Sequence, residues 1–220
     1  MAKPLTARQA AITQEITVKD GDKITQSIEC SNKFEVIFFT NKQNAYKCHV
    51  YDFEDSKASV LGDYIPSALS MEAEEAVVCM AVTDTYAGHM VFVFENGRMS
   101  RVPLSAYKTV NNRKRLINAY CDKFELVRGV FAPVDTDLAL VATNGKAVVI
   151  NSALIPEKST KASQGVIAFT QKGKNKVESV CTLDESEIAN VDYYRTKNVP
   201  AVGHFLRDGD LKNTTQQSFE

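Results

Sequence analysis

The sequence predicts an all-β, propeller-like chain built from four-stranded repeats of about 50 residues. Three observations carry this. Three apolar segments align, each broken by a short polar turn: Val36–Lys47, Val91–Arg101 and Ala139–Val149. A second pair of short apolar runs follows each of them at matching distance. The runs are apolar on both faces, as in Val91-Phe92-Val93-Phe94, with no convincing helical crossover between them. A strand sandwiched between neighbouring sheets needs that pattern, and a buried parallel strand would need helical connections.

In chain order, a half unit over 14–31 comes first. There Ile16–Ile24 reads as strand, Asp20-Gly21-Asp22 turn and strand. The first full unit, 34–83, turns at Lys42-Gln43, and its second hairpin is expected from Ala68 through Glu74-Glu75 into Val78. The second unit, 90–133, turns at Asn96-Gly97, and the third, 138–183, at Asn144-Gly145. Asn-Gly is a strong short-hairpin signal and predicts a two-residue type I′ turn with positive φ at both positions. Residues 43, 97 and 145 lie 54 and 48 apart, which sets the period. The second hairpins are expected from Leu116 into Val127 and from Val166 into Val177. A partial unit and tail occupy 184–220, with Ala201–Asp210 as a late copy of the strand–turn element. Long polar joins separate the hairpins at 51–66, 103–114 and 152–164. Three and a half units make the propeller incomplete or open, since closed ones use about 4–8 blades.

Composition narrows function. Hydrophobic residues are 44% and charged residues 24%, as in an ordinary globular domain. Cys30, Cys48, Cys79, Cys121 and Cys181 are scattered and form no C-x-x-C pair, so free thiols and a cytoplasmic protein are expected rather than disulfides or zinc. His49, His89 and His204 have no metal-ligand spacing, and there is no Walker loop, dinucleotide fingerprint or Gly-x-Ser-x-Gly. No catalytic or metal residue is assigned. The acidic run Glu72, Glu74, Glu75 reads as a solvated turn. The net charge of −1 is unevenly placed. Residues 90–161 hold 11 Lys/Arg against 6 Asp/Glu, and residues 50–89 hold one Lys against eight acids. A basic centre of this kind gives a polyanion a local field to bind.

The stretch Asn96-Gly97-Arg98-Met99-Ser100-Arg101-Val102-Pro103-Leu104, then Asn144-Gly145-Lys146-Ala147 and Lys161-Ala162-Ser163-Gln164-Gly165-Val166, resembles the repeat of the C-terminal domain of bacterial type IIA topoisomerase A subunits, from DNA gyrase and topoisomerase IV. The resemblance covers about 16–182. It implies a β-pinwheel in which blades exchange strands, and duplex DNA bent without sequence preference around a basic outer rim. Gyrase's Gln-Arg-Arg-Gly-Gly-Lys-Gly box is absent. Near its place, 8–14, the chain reads Arg-Gln-Ala-Ala-Ile-Thr-Gln, which favours a topoisomerase IV-like role over gyrase-type wrapping. The expected DNA-binding residues are Arg98, Arg101, Lys108, Arg113, Lys114, Arg115, Lys146, Lys158 and Lys161, with Lys42, Lys47 and Lys57 in the acidic unit. Cationic side chains on corresponding turns and joins suit phosphates, whose neutralisation releases counterions. The expected partners are double-stranded DNA, the ATPase B subunit, and the rest of the A subunit, with no membrane. ATP and magnesium are expected only in the whole enzyme, located at the bacterial nucleoid. A propeller-like protein-interaction module is the alternative.

Overall fold

The computed structural model describes residues 26–53, 62–109 and 113–212. The half unit before residue 26, the Arg8–Gln14 segment and Lys57 lie outside them.

Among the described residues, twelve strands form three four-stranded sheets. Sheet A contains β1 (Glu35–Thr40), β2 (Ala45–His49), β3 (Val77–Thr83) and β6 (Arg115–Leu116), in the order β3-β1-β2-β6. Sheet B contains β4 (His89–Phe94), β5 (Arg98–Pro103), β7 (Leu126–Ala132) and β10 (Val166–Ile167), in the order β10-β5-β4-β7. Sheet C contains β8 (Asp137–Ala142), β9 (Lys146–Asn151), β11 (Val177–Thr182) and β12 (His204–Phe205), in the order β11-β8-β9-β12. All these pairings are antiparallel.

Each central hairpin is built from one unit, but the expected second hairpins do not form. Their two strands go to different sheets. β6 joins sheet A while β7 stays with sheet B, and β10 joins sheet B while β11 stays with sheet C. The chain between β6 and β7 crosses from one sheet to the next, carrying Ala119, Tyr120 and Cys121 into the core between them. Every sheet thus receives its last strand from the following unit.

Pleat alternation explains why the strands are apolar on both faces. In β4, Met90, Phe92 and Phe94 enter the core shared with sheet A, while Val91 and Val93 enter the core shared with sheet C. The first core is anchored by edge-to-face contacts of Phe39 with Phe92 and Tyr107, at 5.6 and 5.1 Å. The outer face of sheet A (Val36, Phe38, Tyr46, Cys48) is covered by Phe53, Ile65, Leu69 and Met71. Here the expected strand at 68–71 is replaced by α1 (Ile65–Ala68) and a turn. Pro66 in the first helical turn suits a helix, because its missing N–H has no intrahelical role there. The far face of sheet C is covered by Ile188, Val191 and Tyr194, the last two from α2 (Val191–Tyr194).

The hairpin turns also differ from expectation. Positive φ occurs at Gly97 (77°) and Gly145 (75°), but not at the asparagines before them. Gly97 N donates to Phe94 O at 2.9 Å, and Asn96 Oδ1 accepts from Arg98 N. This is a three-residue loop closed by one left-handed residue, rather than a type I′ pair. The first hairpin uses Gln43 at φ 54° in the same place.

Those turn carbonyls fasten the exchange. Gln43 O accepts from Ala119 N (2.7 Å), Gly97 O from Ala168 N (2.9 Å) and Gly145 O from Leu206 N (2.8 Å). Tyr120 adds a hydroxyl bond to Thr40 O at 2.6 Å.

Candidate nucleic-acid interface

The backbones of β3 and β7, and of β7 and β11, approach within 8 Å. At Gly129 in β7 an added Cβ would lie 2.5 Å from Cys79 Sγ of β3. The three sheets therefore converge along β3, β7 and β11 and fan apart towards β6, β10 and β12. The exchanged strands and the joins that lead to them form the outer edge.

Two joins place cations there. Lys108, Arg113 and Lys114 are exposed on the join leading to β6, and Lys158 is exposed on the join leading to β10. None of the four makes an ion pair among the described residues. Lys161 is half-buried, with Nζ 5.8 Å from the Tyr107 ring centroid. Tyr107 immediately precedes Lys108, so the second join reaches back to the first. Lys108 itself lies over the Tyr86 ring at 5.7 Å. A shallow depression of about 520 Å³ opens along 157–165, lined by Lys158, Ser159, Thr160 and Ser163.

The other expected contacts are engaged. Arg101 donates to Asp135 Oδ1 (2.8 Å) and lies 3.4 Å from His89 Nδ1. Arg98 donates to Gly165 O (3.0 Å). Arg115 pairs with Glu72 (2.6 Å) and lies over the Tyr46 ring. Lys42 donates to Ala73 O (2.6 Å) and lies 4.0 Å from Glu72. Lys146 sits over the Phe205 ring at 5.1 Å. Lys47 is 6% exposed, with Nζ donating to Tyr86 OH, which leaves almost no surface for a phosphate. The hairpin cations mostly hold the domain together, whereas the join cations face solvent.

No family model matches the chain. The fold is similar to the crystal structure of the C-terminal domain of DNA topoisomerase IV, with a TM-score of 0.66 at 22% identity over 84% of this chain and 58% of that one. It is also similar to the E. coli ParC C-terminal domain, with a TM-score of 0.55 at 12% identity over 76% of this chain and 69% of that one. The chain is a β-pinwheel. In sequence the pinwheel is similar to the A subunit of DNA gyrase from Mycobacterium bovis, 24% identical over 155 residues, and to the A subunit of DNA topoisomerase 4 from Staphylococcus epidermidis, 23% identical over 176 residues. These matches cover 68% and 79% of the chain but only 18% and 22% of the relatives, so the chain spans about a fifth of their length.

The pinwheel contains charged contacts that sequence reasoning missed. His89 opens β4 and binds Glu157 on the join docked against β5, at 2.7 Å. Asp137 opens β8 in the corresponding place and binds Arg195 on the next join, at 2.5 Å. The partners are 68 and 58 residues apart, so no local spacing signals them. Burial raises the Asp137 carboxyl pKa, but bonds from Arg195 and Asn151 outweigh it and hold it below its usual value. Glu75, expected in a solvated turn, is 4% exposed. Its carboxylate accepts from the Thr40 hydroxyl, Asn44 Nδ2 (2.9 Å), Tyr46 OH (2.8 Å) and Glu72 N (3.1 Å). Burial raises its pKa, yet these donors outweigh burial and hold it at about 2. Glu72 and Glu74 remain exposed, as expected. Among the described residues no three His, Cys, Asp or Glu side chains converge as metal ligands, and no helix is long and apolar enough to cross a membrane.

Proposed function

We propose that this β-pinwheel binds and bends duplex DNA along its outer edge, without sequence preference, as the C-terminal domain of a type IIA topoisomerase A chain. The observation that carries the reading is the set of exposed cations Lys108, Arg113, Lys114 and Lys158 on two adjacent joins, which make no ion pair among the described residues. Unpaired surface cations bind phosphate by releasing counterions, and no internal pair has to break first. Both α-helices among the described residues have four residues, too short to read a major groove as a recognition helix does. Affinity then comes from backbone contact and from the ease of bending. Bending a short duplex costs roughly 1–6 kcal/mol, which several phosphate contacts offset.

In the whole enzyme this domain would work beside the ATPase subunit, which would bind ATP and magnesium, together with the breakage part of the A subunit, which would supply the nucleophilic tyrosine. The test is binding to a mixed-sequence duplex across a salt series, with circularisation of short duplexes as the readout of bending. The expected result is an affinity that falls steeply with salt, by about 0.9 log units per log unit of salt for each phosphate contacted. Absence of duplex binding at low salt would falsify the reading. A protein-interaction module would instead show a protein contact only weakly dependent on salt.

A further inference from the structure

The exchanged strands carry a second regular feature on the same edge. Leu116, Val166 and His204 occupy one register position, opposite Ala45, Met99 and Ala147, each two residues past its hairpin's left-handed residue. The next residue along each strand is Ile117, Ile167 and Phe205. These three equivalent side chains are 64%, 45% and 64% exposed. Successive strand residues point to opposite faces, so this residue is turned away from the face of Leu116, which is buried, and Val166, which is partly buried; His204 is itself exposed. Nothing in the packing of the cores requires that outward residue to be apolar, since none of the three belongs to a buried cluster. Single exposed hydrophobic side chains are ordinary, but three in one register position are not scatter.

Each sits beside a cation. Ile167 is directly opposite Arg98. Phe205 is directly opposite Lys146, whose Nζ lies 5.1 Å from the ring centroid. Ile117 follows Arg115 by two residues, and Lys114 by three, on the join that carries the free cations. Large contiguous apolar patches mark protein-docking faces. Here the apolar groups are separated by a blade and interleaved with positive charge, which suits a polyanion that also presents apolar sugar faces.

We propose that Ile117, Ile167 and Phe205 form the non-electrostatic part of the duplex contact, lying against deoxyribose faces beside phosphates held by the exposed join cations. This rests on the DNA reading above. Insertion of all three between base steps is disfavoured by spacing. Stacked sheets lie about 10 Å apart and these fan outward, so successive blades meet the duplex every three or so base pairs, at about 3.4 Å each. The minor groove faces a surface only once in about 10 base pairs, so three contacts about three base pairs apart cannot all enter it.

The experiment compares the wild-type chain with the triple variant Ile117→Ser/Ile167→Ser/Phe205→Ser and the conservative triple variant Ile117→Val/Ile167→Val/Phe205→Leu. Anisotropy of a labelled mixed-sequence duplex is read across a salt series. Thermal melting checks that these surface changes leave the fold intact. The serine variant should bind roughly tenfold more weakly at every salt concentration, from the lost apolar contact, with an unchanged slope of log affinity against log salt. The conservative variant should stay near wild type. Wild-type affinity in the serine variant overturns the proposal while leaving the DNA reading standing. So does a change confined to the slope, which would make these residues props for phosphate contacts. Loss of self-association without loss of DNA binding overturns it in favour of contact between copies. A wild-type chain that fails to bind duplex overturns the DNA reading itself, and the two failures are thereby distinguished.

Discussion

The hairpins and the joins of this pinwheel carry comparable positive charge and use it differently. On the hairpins, Arg101 is tied to Asp135, Arg98 to Gly165 O, and Lys47 to the Tyr86 hydroxyl between two sheets. On the joins, Lys108, Arg113, Lys114 and Lys158 stand in solvent. The hairpins also supply the carbonyls of Gln43, Gly97 and Gly145 that receive the exchanged strands. The same stretch of chain therefore fastens one blade to the next unit and engages its cations in doing so. The connecting segments have few such duties, and their charge is available to a partner. Density of Lys and Arg in a sequence measures the sum of these two roles.

The largest expected effect breaks the fastening. An added Cβ at Gly97 would lie 1.8 Å from Phe169 O, backbone that the incoming strand has no room to move, and φ is 77°. Gly145 has nearly the same φ, 75°, with no atom within 4 Å of its notional Cβ. Gly97→Ala should cost more than about 4 kcal/mol, or prevent folding, because a native contact must be rebuilt. Gly145→Ala should cost only about 1–2 kcal/mol, the strain of a left-handed alanine. Urea denaturation of the two variants measures the difference, and equal costs would place the strain in the turn alone.

A smaller effect belongs to the first hairpin, where Glu75 braces the turn from the side. Replacing its buried carboxylate by the Glu75→Gln amide should cost about 2–3 kcal/mol, since charge-assisted bonds are lost and an amide donor then faces donors. The folded-state pKa of about 2 lies below the ordinary value of 4.5. The carboxylate's stabilisation is therefore fully present above about pH 4.5 and is lost as pH falls through about 2. Acid unfolding followed by circular dichroism should show that loss in wild type and not in the variant. An unchanged acid limb would show that the four donors do not hold the carboxylate as described.

The features legible in the sequence were the local ones. The register of residues 43, 97 and 145, the alternation in Met90–Phe94 and the four strands of the second and third units all follow from short-range pattern. The destination of each fourth strand did not. β6 and β10 are two residues long, and their partners lie about 70 residues away, so only the family resemblance pointed to exchange. Turn chemistry was half legible. Asn-Gly marked the place, but the register left three residues in the loop, so only the glycine took positive φ. The helix at Ile65–Ala68 replaced a strand expected by analogy with the later units. For the cations, sequence marked the basic middle but not which way each side chain faces. Arg101 and Lys47 occupy equivalent positions four residues past the turn, and both are drawn inward by partners, Asp135 and Tyr86, that spacing does not connect to them. Burial of Glu75 was hidden for the same reason, because its donors Thr40, Asn44 and Tyr46 lie on another strand pair.

The most direct measurement of the division between hairpin and join is the salt dependence of duplex binding in two variants, read together with their stability. In Lys108→Ala/Arg113→Ala/Lys114→Ala/Lys158→Ala, the slope of log affinity against log salt should become shallower by up to about 0.9 for each phosphate contact removed, with melting unchanged. In Arg101→Met, stability should fall by about 1–2 kcal/mol with the loss of its bond to Asp135, and the slope should stay at the wild-type value. A wild-type slope in the join variant, or a shallower slope in the Arg101 variant, would contradict the assignment of DNA contact to the joins.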